Sequence, residues 1–379
     1  MKVLIVVTHL LGTGHLRRAM VLGRAFAQAG HQATVASGGT SVPGLDATGV
    51  ELIQLPPVQS DGANFSTLLR ADGTPATDSD LAARQTTLLA TLAEITPDVL
   101  ITELFPFGRR TLSTEFTALL QAAHAQTPRP LILSSIRDIL APPSKPSKAD
   151  AAHALIDSLY DGVLVHSDAT ATPLEISWPV TPDLAAMLHY TGFVTAPAPA
   201  PHPDAAGQGE VLVSAGGGAV GGHVFATARA AAALTPDLTW RLLIGGTDPD
   251  VTITSLMADA PPNLIAEPAR PDFRQMLNHA ACSVSLAGYN TALDLLQTGI
   301  PALLIPFDEG GEVEQGLRAQ SLARLPAMDV VTSADLTAPL LADKVQTLAA
   351  MPRRATDGLG FDGAAETVRL IARMRKVRS

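Results

Sequence analysis

Short apolar, β-branched runs alternate along the chain with stretches in which apolar positions recur every three or four residues. KVLIVV (2–7) reads as a strand buried on both faces. LRRAMVLGRAFAQAG (16–30) has helical spacing and ends at Gly30, a natural helix stop, and HQATVASGG (31–39) is the next strand and turn. PDVLIT (97–102), RPLILSS (129–135) and DGVLVHS (161–167) are further strands, each after a helical stretch. Residues 56–80, with Pro, Gly, Asp and Ser, read as a long loop. The alternation stops at APAPAPHPDAAGQG (196–209), an Ala-Pro stretch that favours an extended, semi-rigid spacer. It then restarts: EVLVSAGGG (210–218), HVFATARAAAAL (223–234), TWRLLIGG (239–246), CSVSLAG (282–288), YNTALDLLQTG (289–299), PALLIPF (301–307), and a last helix at 364–376. Strands alternating with helices predict parallel sheets covered on both faces, hence an α/β fold in two domains.

Composition narrows the function. With 379 residues, 46% of them apolar and 16% charged, the chain can build a sizeable core. A net charge of −10 argues against nucleic acid as a partner, which needs a basic face. The lone Cys282 excludes an internal disulfide and a cysteine zinc site. Val3–Val7 is too short for a signal-peptide core, and no apolar stretch reaches the roughly 18 residues of a membrane span, so a cytoplasmic protein is expected. The tail RLIARMRKVRS (369–379) carries five basic residues; it reads as a solvated end, or as a peripheral contact with an anionic membrane surface.

Candidate chemistry gathers where strands end. THLLGTGHLRRA (8–19) places Gly12 and Gly14 behind the first strand, then His15, Arg17 and Arg18. Glycines there allow a tight turn and close ligand approach, and amides at a following helix N-terminus suit an anion. A plain structural turn accounts equally well for the glycines. In the second half, Gly216, Gly217 and Gly218 again follow a strand, where consecutive glycine amides can cradle phosphate. In 285–319 a strand meets a helix at Ala287–Thr291, whose amides can bind a diphosphate. Asp294, about one turn on, can accept hydrogen bonds from the paired hydroxyls of a ribose. Glu312, Glu314 and Gln315 suit sugar hydroxyls, or form a solvated acidic loop. Glu103, Arg109, Arg137, Asp138 and His166 also fall at strand mouths of the first half; a structural ion pair for Arg137–Asp138 and a hydrogen-bonded core role for His166 are the competing readings.

The stretch 285–319 resembles the donor-site signature of glycosyltransferase family 28, the MurG-like UDP-sugar transferases, and GTGH resembles the Gly-rich loop of that family. FPFGRR, IRDIL, SAGGGAVGG and AGYNTALDLL are similar to a bacterial branch of predicted glycosyltransferases. The resemblance implies a GT-B fold, two Rossmann-like domains facing across a cleft. Residues 1–195 with a C-terminal helix at about 361–379 would form the acceptor domain, 196–209 the linker and 210–360 the nucleotide-sugar domain. It implies that Ala287, Gly288, Tyr289, Asn290 and Thr291 hold the diphosphate. Asp294 would hold the ribose, in place of the family's usual Glu, and Glu314 and Gln315 the donor sugar. Gly14 and Gly216–Gly218 would serve the Gly-rich loops, and Arg270 and Phe273 would lie at the base.

Inverting transfer of a sugar from a nucleotide sugar, expected to be UDP-linked, needs a base to take the acceptor's proton. His15 is the first choice because its pKa lies near working pH, Glu103 the second and Asp138 the third. Arg17, Arg109, Arg137 and His166 are expected on the acceptor side, with only one of Arg17 and Arg18 facing the site. Amide dipoles can hold the leaving diphosphate without a metal, so no metal or other cofactor is expected. The acceptor is a small molecule or a lipid-linked sugar. A nucleotide-sugar hydrolase, with water as acceptor, and a non-catalytic nucleotide-sugar-binding protein are the alternatives.

Overall fold

A computed structural model describes residues 1–60, 67–216, 221–246, 248–308 and 312–378. The chain forms two compact units, one of residues 1–169, 173–195 and 360–379, the other of 170–172 and 196–359.

In unit 1, β1 (Lys2–Val7), α1 (Gly14–Gln28), β2 (Gln32–Ser37), β3 (Val50–Gln54), α2 (Asp78–Ile95), β4 (Val99–Glu103), α3 (Ser113–His124), β5 (Leu131–Arg137), α4 (Pro146–Leu159), β6 (Gly162–His166), α5 (Pro182–Met187) and β7 (Leu188–Tyr190) follow in order. All the strands are parallel, arranged β3-β2-β1-β4-β5-β6-β7. The side-chain period of two sends Leu4, Val6, Leu100 and Ile132 into one core layer and Val3, Ile5, Val99, Ile101, Leu131 and Leu133 into the other, which explains why the central strands read as unbroken apolar runs. The strand order reverses between β1 and β4. In an open α/β sheet the crevice at such a reversal, beyond the carboxyl ends of the strands, is where ligands bind.

Unit 2 repeats the plan: β8 (Val211–Ser214), α6 (Gly222–Leu234), β9 (Trp240–Ile244), α7 (Pro249–Met257), β10 (Leu264–Pro268), α8 (Phe273–Met276), β11 (Cys282–Leu286), α9 (Tyr289–Thr298), β12 (Ala302–Ile305), α10 (Glu314–Leu322), β13 (Met328–Val330) and α11 (Ala338–Ala349). Its parallel sheet runs β10-β9-β8-β11-β12-β13, reversing between β8 and β11. The Ala-Pro stretch 196–209 belongs to this unit rather than standing apart as a spacer. The Ala196 carbonyl accepts from Gln297 Nε2 at 2.9 Å, the Pro197 carbonyl from Arg274 at 3.1 Å and the Pro199 carbonyl from Asn278 at 3.2 Å.

The chain then returns to unit 1 in α12 (Gly363–Arg378), which packs against α1 with Ile371 fully buried. Arg375 pairs with Asp98 at 2.8 Å and Arg378 with Asp161 at 2.9 Å. The entry to α12 needs glycine: a Cβ on Gly363 would lie 2.3 Å from the Gly192 carbonyl oxygen.

Candidate active site

In unit 1 the reversal point holds an acid–imidazole pair. The first of the two central strands, β1, leads into the loop that opens α1, whose second residue is His15; the other, β4, ends on Glu103. His15 Nδ1 lies 2.9 Å from Glu103 Oε1. An ionised carboxylate only accepts, and at 2.9 Å it is nearer to Nδ1 than the competing Arg18 Nη2 donor at 3.2 Å, which places the hydrogen on Nδ1 and leaves Nε2 as a lone pair. The imidazole retains 16% exposure whereas Glu103 has 1%. Arg18, one turn along α1, also donates to Glu103 Oε1, and Ser135 Oγ donates to Oε2 at 2.6 Å.

Electrostatics set both protonation states. Burial alone would raise Glu103, but the Arg18 guanidinium and the His15 and Ser135 hydrogen bonds overcome it and hold the carboxyl well below its usual range. Burial lowers His15 to about 4 against the opposing effect of its hydrogen bond to Glu103, so the imidazole is neutral at physiological pH. Arg109, in the left-handed backbone region at φ 59°, donates through Nε to the Thr8 carbonyl; burial, with Arg137 and Arg18 nearby, lowers it to about 10. Arg109 and Arg137 thus bring positive charge near the reversal point, with Arg18 paired to Glu103.

Two expectations for this half change. Arg17 lies on the exposed side of α1 and donates to its own Thr13 at 3.1 Å; the roughly 100° turn per helical residue sends Arg18 inward instead. His166 does not face an acceptor. It is fully buried, bonded to Ser135 at 3.0 Å and Thr191 at 2.8 Å, and burial lowers it to about 3. Asp138 is buried at the end of β5, and Arg137 donates to the Ile139 carbonyl at 3.0 Å.

In unit 2 the reversal point lies between the ends of β8 and β11. Gly216 follows β8 at φ 77° with its amide donating to Ser214 Oγ at 3.2 Å; Gly217 and Gly218 lie outside the described residues. After β11, Gly288 is the N-cap of α9 with no side-chain cap, and the first helical bond runs from Ala292 N to the Gly288 carbonyl. The amides of Tyr289, Asn290 and Thr291 thus point outward along the axis, a ready anion site. Space above Gly288 is open. Arg318 braces this turn, donating to the Ala287 carbonyl at 3.0 Å with its guanidinium 5.8 Å from the Tyr289 ring centroid. Gln315 Oε1 accepts from the Phe307 amide at 3.2 Å. Glu312, read as a sugar contact, accepts from the Glu314 amide at 2.6 Å and so caps α10. Arg270 is engaged by Asp272 at 2.6 Å, next to Phe273 at the start of α8. Asp294 accepts from Arg274 Nε at 2.6 Å; burial raises its carboxyl against the pull of that cation.

The family model for the glycosyltransferase family 28 C-terminal domain matches residues 245–364, a stretch that includes the turn at 287–291. The chain is MurG-like, and its residues 245–364 match the C-terminal domain of glycosyltransferase family 28. Curated relatives are UDP-N-acetylglucosamine--N-acetylmuramyl-(pentapeptide) pyrophosphoryl-undecaprenol N-acetylglucosamine transferases. That of Rhodopseudomonas palustris (strain BisA53) is 31% identical over 206 residues, 50% of this chain and 54% of the relative. That of Prochlorococcus marinus (strain MIT 9303) is 31% identical over 137 residues, 36% of this chain and 37% of the relative. The chain thus spans about half or less of the length of the curated relatives it matches. Among solved structures, Acinetobacter baumannii MurG superposes with a TM-score of 0.66 at 16% identity, covering 98% of this chain and 100% of that one. The calicheamicin glycosyltransferase CalG4 gives 0.65 at 19%, covering 98% of each. These likenesses establish the GT-B fold. The match to that family's C-terminal domain supports an enzyme.

Proposed function

We propose that the protein is an inverting glycosyltransferase that takes a sugar from a UDP-sugar, with the donor held by unit 2 and the base supplied by unit 1. The observation that carries this reading is the His15–Glu103 pair at the strand reversal, a neutral imidazole with Nδ1–H held by a buried carboxylate. In the proposed step, His15 Nε2 takes the proton of an acceptor hydroxyl as that oxygen bonds to the anomeric carbon. The bond from that carbon to the diphosphate oxygen breaks from the opposite side, and UDP leaves with the pair of electrons. The relatives' printed name describes a UDP-N-acetylglucosamine donor and a pyrophosphoryl-undecaprenol acceptor. The positive charge around Arg109 suits an acceptor with a phosphate, soluble or lipid-linked; a lipid-linked one would bring the protein to the inner face of a membrane. Among the described residues no helix is long and apolar enough to cross one. A thermal-shift panel of nucleotide sugars tests the donor, because a ligand of the folded state raises stability by mass action. Failure of every UDP-sugar to stabilise the protein would overturn the reading.

Two expected results follow from the donor half. Asp294→Ala should weaken UDP binding by about 1–3 kcal/mol, the scale for lost hydrogen bonds to a charged group, read by calorimetry. Unchanged affinity with a lower melting temperature would mean that Asp294 serves only Arg274. Turnover should persist in EDTA, because in this reading the diphosphate is held by amide dipoles at the start of α9. Complete loss in EDTA, reversed by magnesium or manganese, would overturn metal independence.

A further inference from the structure

We propose that Ser135, His166 and Thr191 form a one-way hydrogen-bond chain that positions Glu103 and thereby fixes the tautomer of His15. The proposal rests on the reading of His15 as base. Strand register brings the four residues of the chain together. Glu103 pairs with Ser135 across β4 and β5, and Arg137, two residues on and so on the same face, pairs with His166 on β6. Thr191 follows Tyr190, the partner of Val165, so it falls beside His166. The result is a diagonal row of polar groups on one face of the sheet, at the carboxyl ends of its strands.

The direction of every bond follows from the carboxylate. Glu103 Oε2 can only accept, so the Ser135 hydroxyl donates to it, at 2.6 Å. A serine hydroxyl has one hydrogen, so Ser135 must accept from His166 Nε2, 3.0 Å away. The neutral ring then carries its hydrogen on Nε2, and Nδ1 accepts from the Thr191 hydroxyl at 2.8 Å. The Gly192 carbonyl at 3.0 Å competes for that hydroxyl hydrogen, but sending it there would leave two lone pairs facing each other inside the sheet. All the dipoles therefore point at the carboxylate, reinforcing its charge while adding none. Arg18 and His15 occupy Oε1, so Ser135 is the group that fills Oε2. Removing it frees the carboxylate to turn, and the His15 ring is no longer confined to the Nδ1–H form. In the other tautomer Nε2 carries a hydrogen and cannot take a proton. Ser135, His166 and Thr191 touch no substrate in this scheme; they are positioning residues. For folding alone, apolar side chains of matching shape would serve this face as well, since replacing both partners of a buried hydrogen bond is close to neutral.

The test is nitrogen NMR of the full chain with ¹⁵N-labelled imidazoles, the His15 signals being assigned by their loss in His15→Gln. The wild type should show His15 as Nδ1–H and His166 as Nε2–H. Ser135→Ala and His166→Leu should turn the His15 signals into a tautomer mixture and lower turnover roughly 10–100-fold, the scale for partners that orient a reacting group, with the KM for donor unchanged. His166→Gln, which keeps an N–H near the position of Nε2, should restore both. A Ser135→Ala spectrum in which His15 stays wholly Nδ1–H overturns the chain. If His166→Leu does not fold, Ser135→Ala decides, since it removes a single buried hydroxyl. The two readings fail separately: full turnover in His15→Ala sinks the base, whereas the Ser135→Ala spectrum judges the chain without reference to turnover.

Discussion

His15→Ala is expected to lower turnover about 10²–10⁴-fold, the range for loss of a general base, and to leave UDP affinity unchanged because the donor turn is built from unit 2. Three groups competed for the role in the sequence, and burial separates them. Glu103 is 1% exposed, with Oε1 and Oε2 both occupied by donors of the protein, and Asp138 is buried too; neither is open to a hydroxyl from solution. His15 retains exposure and has Glu103 behind it, the arrangement of a base and its orienting carboxylate. The rate should rise with pH through an ionisation near 4 and be flat above it, since only the neutral ring is a base and burial has already lowered the group to about 4. A pH profile of kcat/KM, taken as UDP release, checks this; His15→Ala should lack the step. Glu103→Gln should also slow the reaction, and should destabilise unit 1 as well, because it leaves the buried Arg18 without its counter-charge. A His15→Ala protein with full turnover beside an inactive Glu103→Gln would move the base to Glu103.

The fold was legible because parallel sheets covered on both faces make strands of unbroken apolar residues, and KVLIVV, PDVLIT and RPLILSS each became a central strand. The strands that went unread are the edge strands Val50–Gln54, Leu188–Tyr190, Leu264–Pro268 and Met328–Val330, all short and partly exposed. The glycine loops and the 285–291 turn were legible as strand-to-helix junctions, and both fell at strand-order reversals. What the sequence withheld was register. Ser135 and Thr191 are ordinary residues of a strand and its end; only the pairing of Glu103 with Ser135, and of Arg137 with His166, brings them to the buried carboxylate at the strand reversal. Arg18 was hidden differently. Adjacent arginines at 17 and 18 look equivalent until helix phase is known, and one residue of rotation separates a solvated cation from the partner of Glu103. The Ala-Pro stretch misled because composition reports stiffness, whereas its docking depends on distant donors: Gln297, Arg274 and Asn278.

The same pair of imidazoles should make unit 1 the acid-labile half of the protein. His15 and His166 titrate at about 4 and about 3 in the fold, against 6.5 for an ordinary imidazole. Between pH 6.5 and 4 the unfolded chain therefore binds protons that the folded chain does not, and stability rises with pH in that window; equivalently, it is lost as pH falls. The cost at pH 4 relative to pH 7 is on the order of 2–3 kcal/mol for each ring, a large share of the 5–15 kcal/mol that holds a typical domain together. His9, His31 and His189, all in unit 1, are lowered by burial and act in the same direction. Glu103, held below its usual range, extends the loss once pH drops under the ordinary carboxylate value of 4.5. The molecule carries its own reporters, since the two tryptophans are buried one in each unit, Trp178 in unit 1 and Trp240 in unit 2. In Trp240→Phe the urea midpoint followed through Trp178 should fall steeply from pH 7 to pH 4; in Trp178→Phe the midpoint followed through Trp240 should fall less. The midpoint is the quantity to read, because the Trp178 indole donates to His153 at 3.1 Å and its intensity would change on protonation without unfolding. His166→Gln should flatten the dependence by removing one of the two rings. A Trp178 midpoint unchanged between pH 7 and 4 would mean that His15 and His166 titrate as ordinary imidazoles, and the neutral base at the strand reversal would go with them.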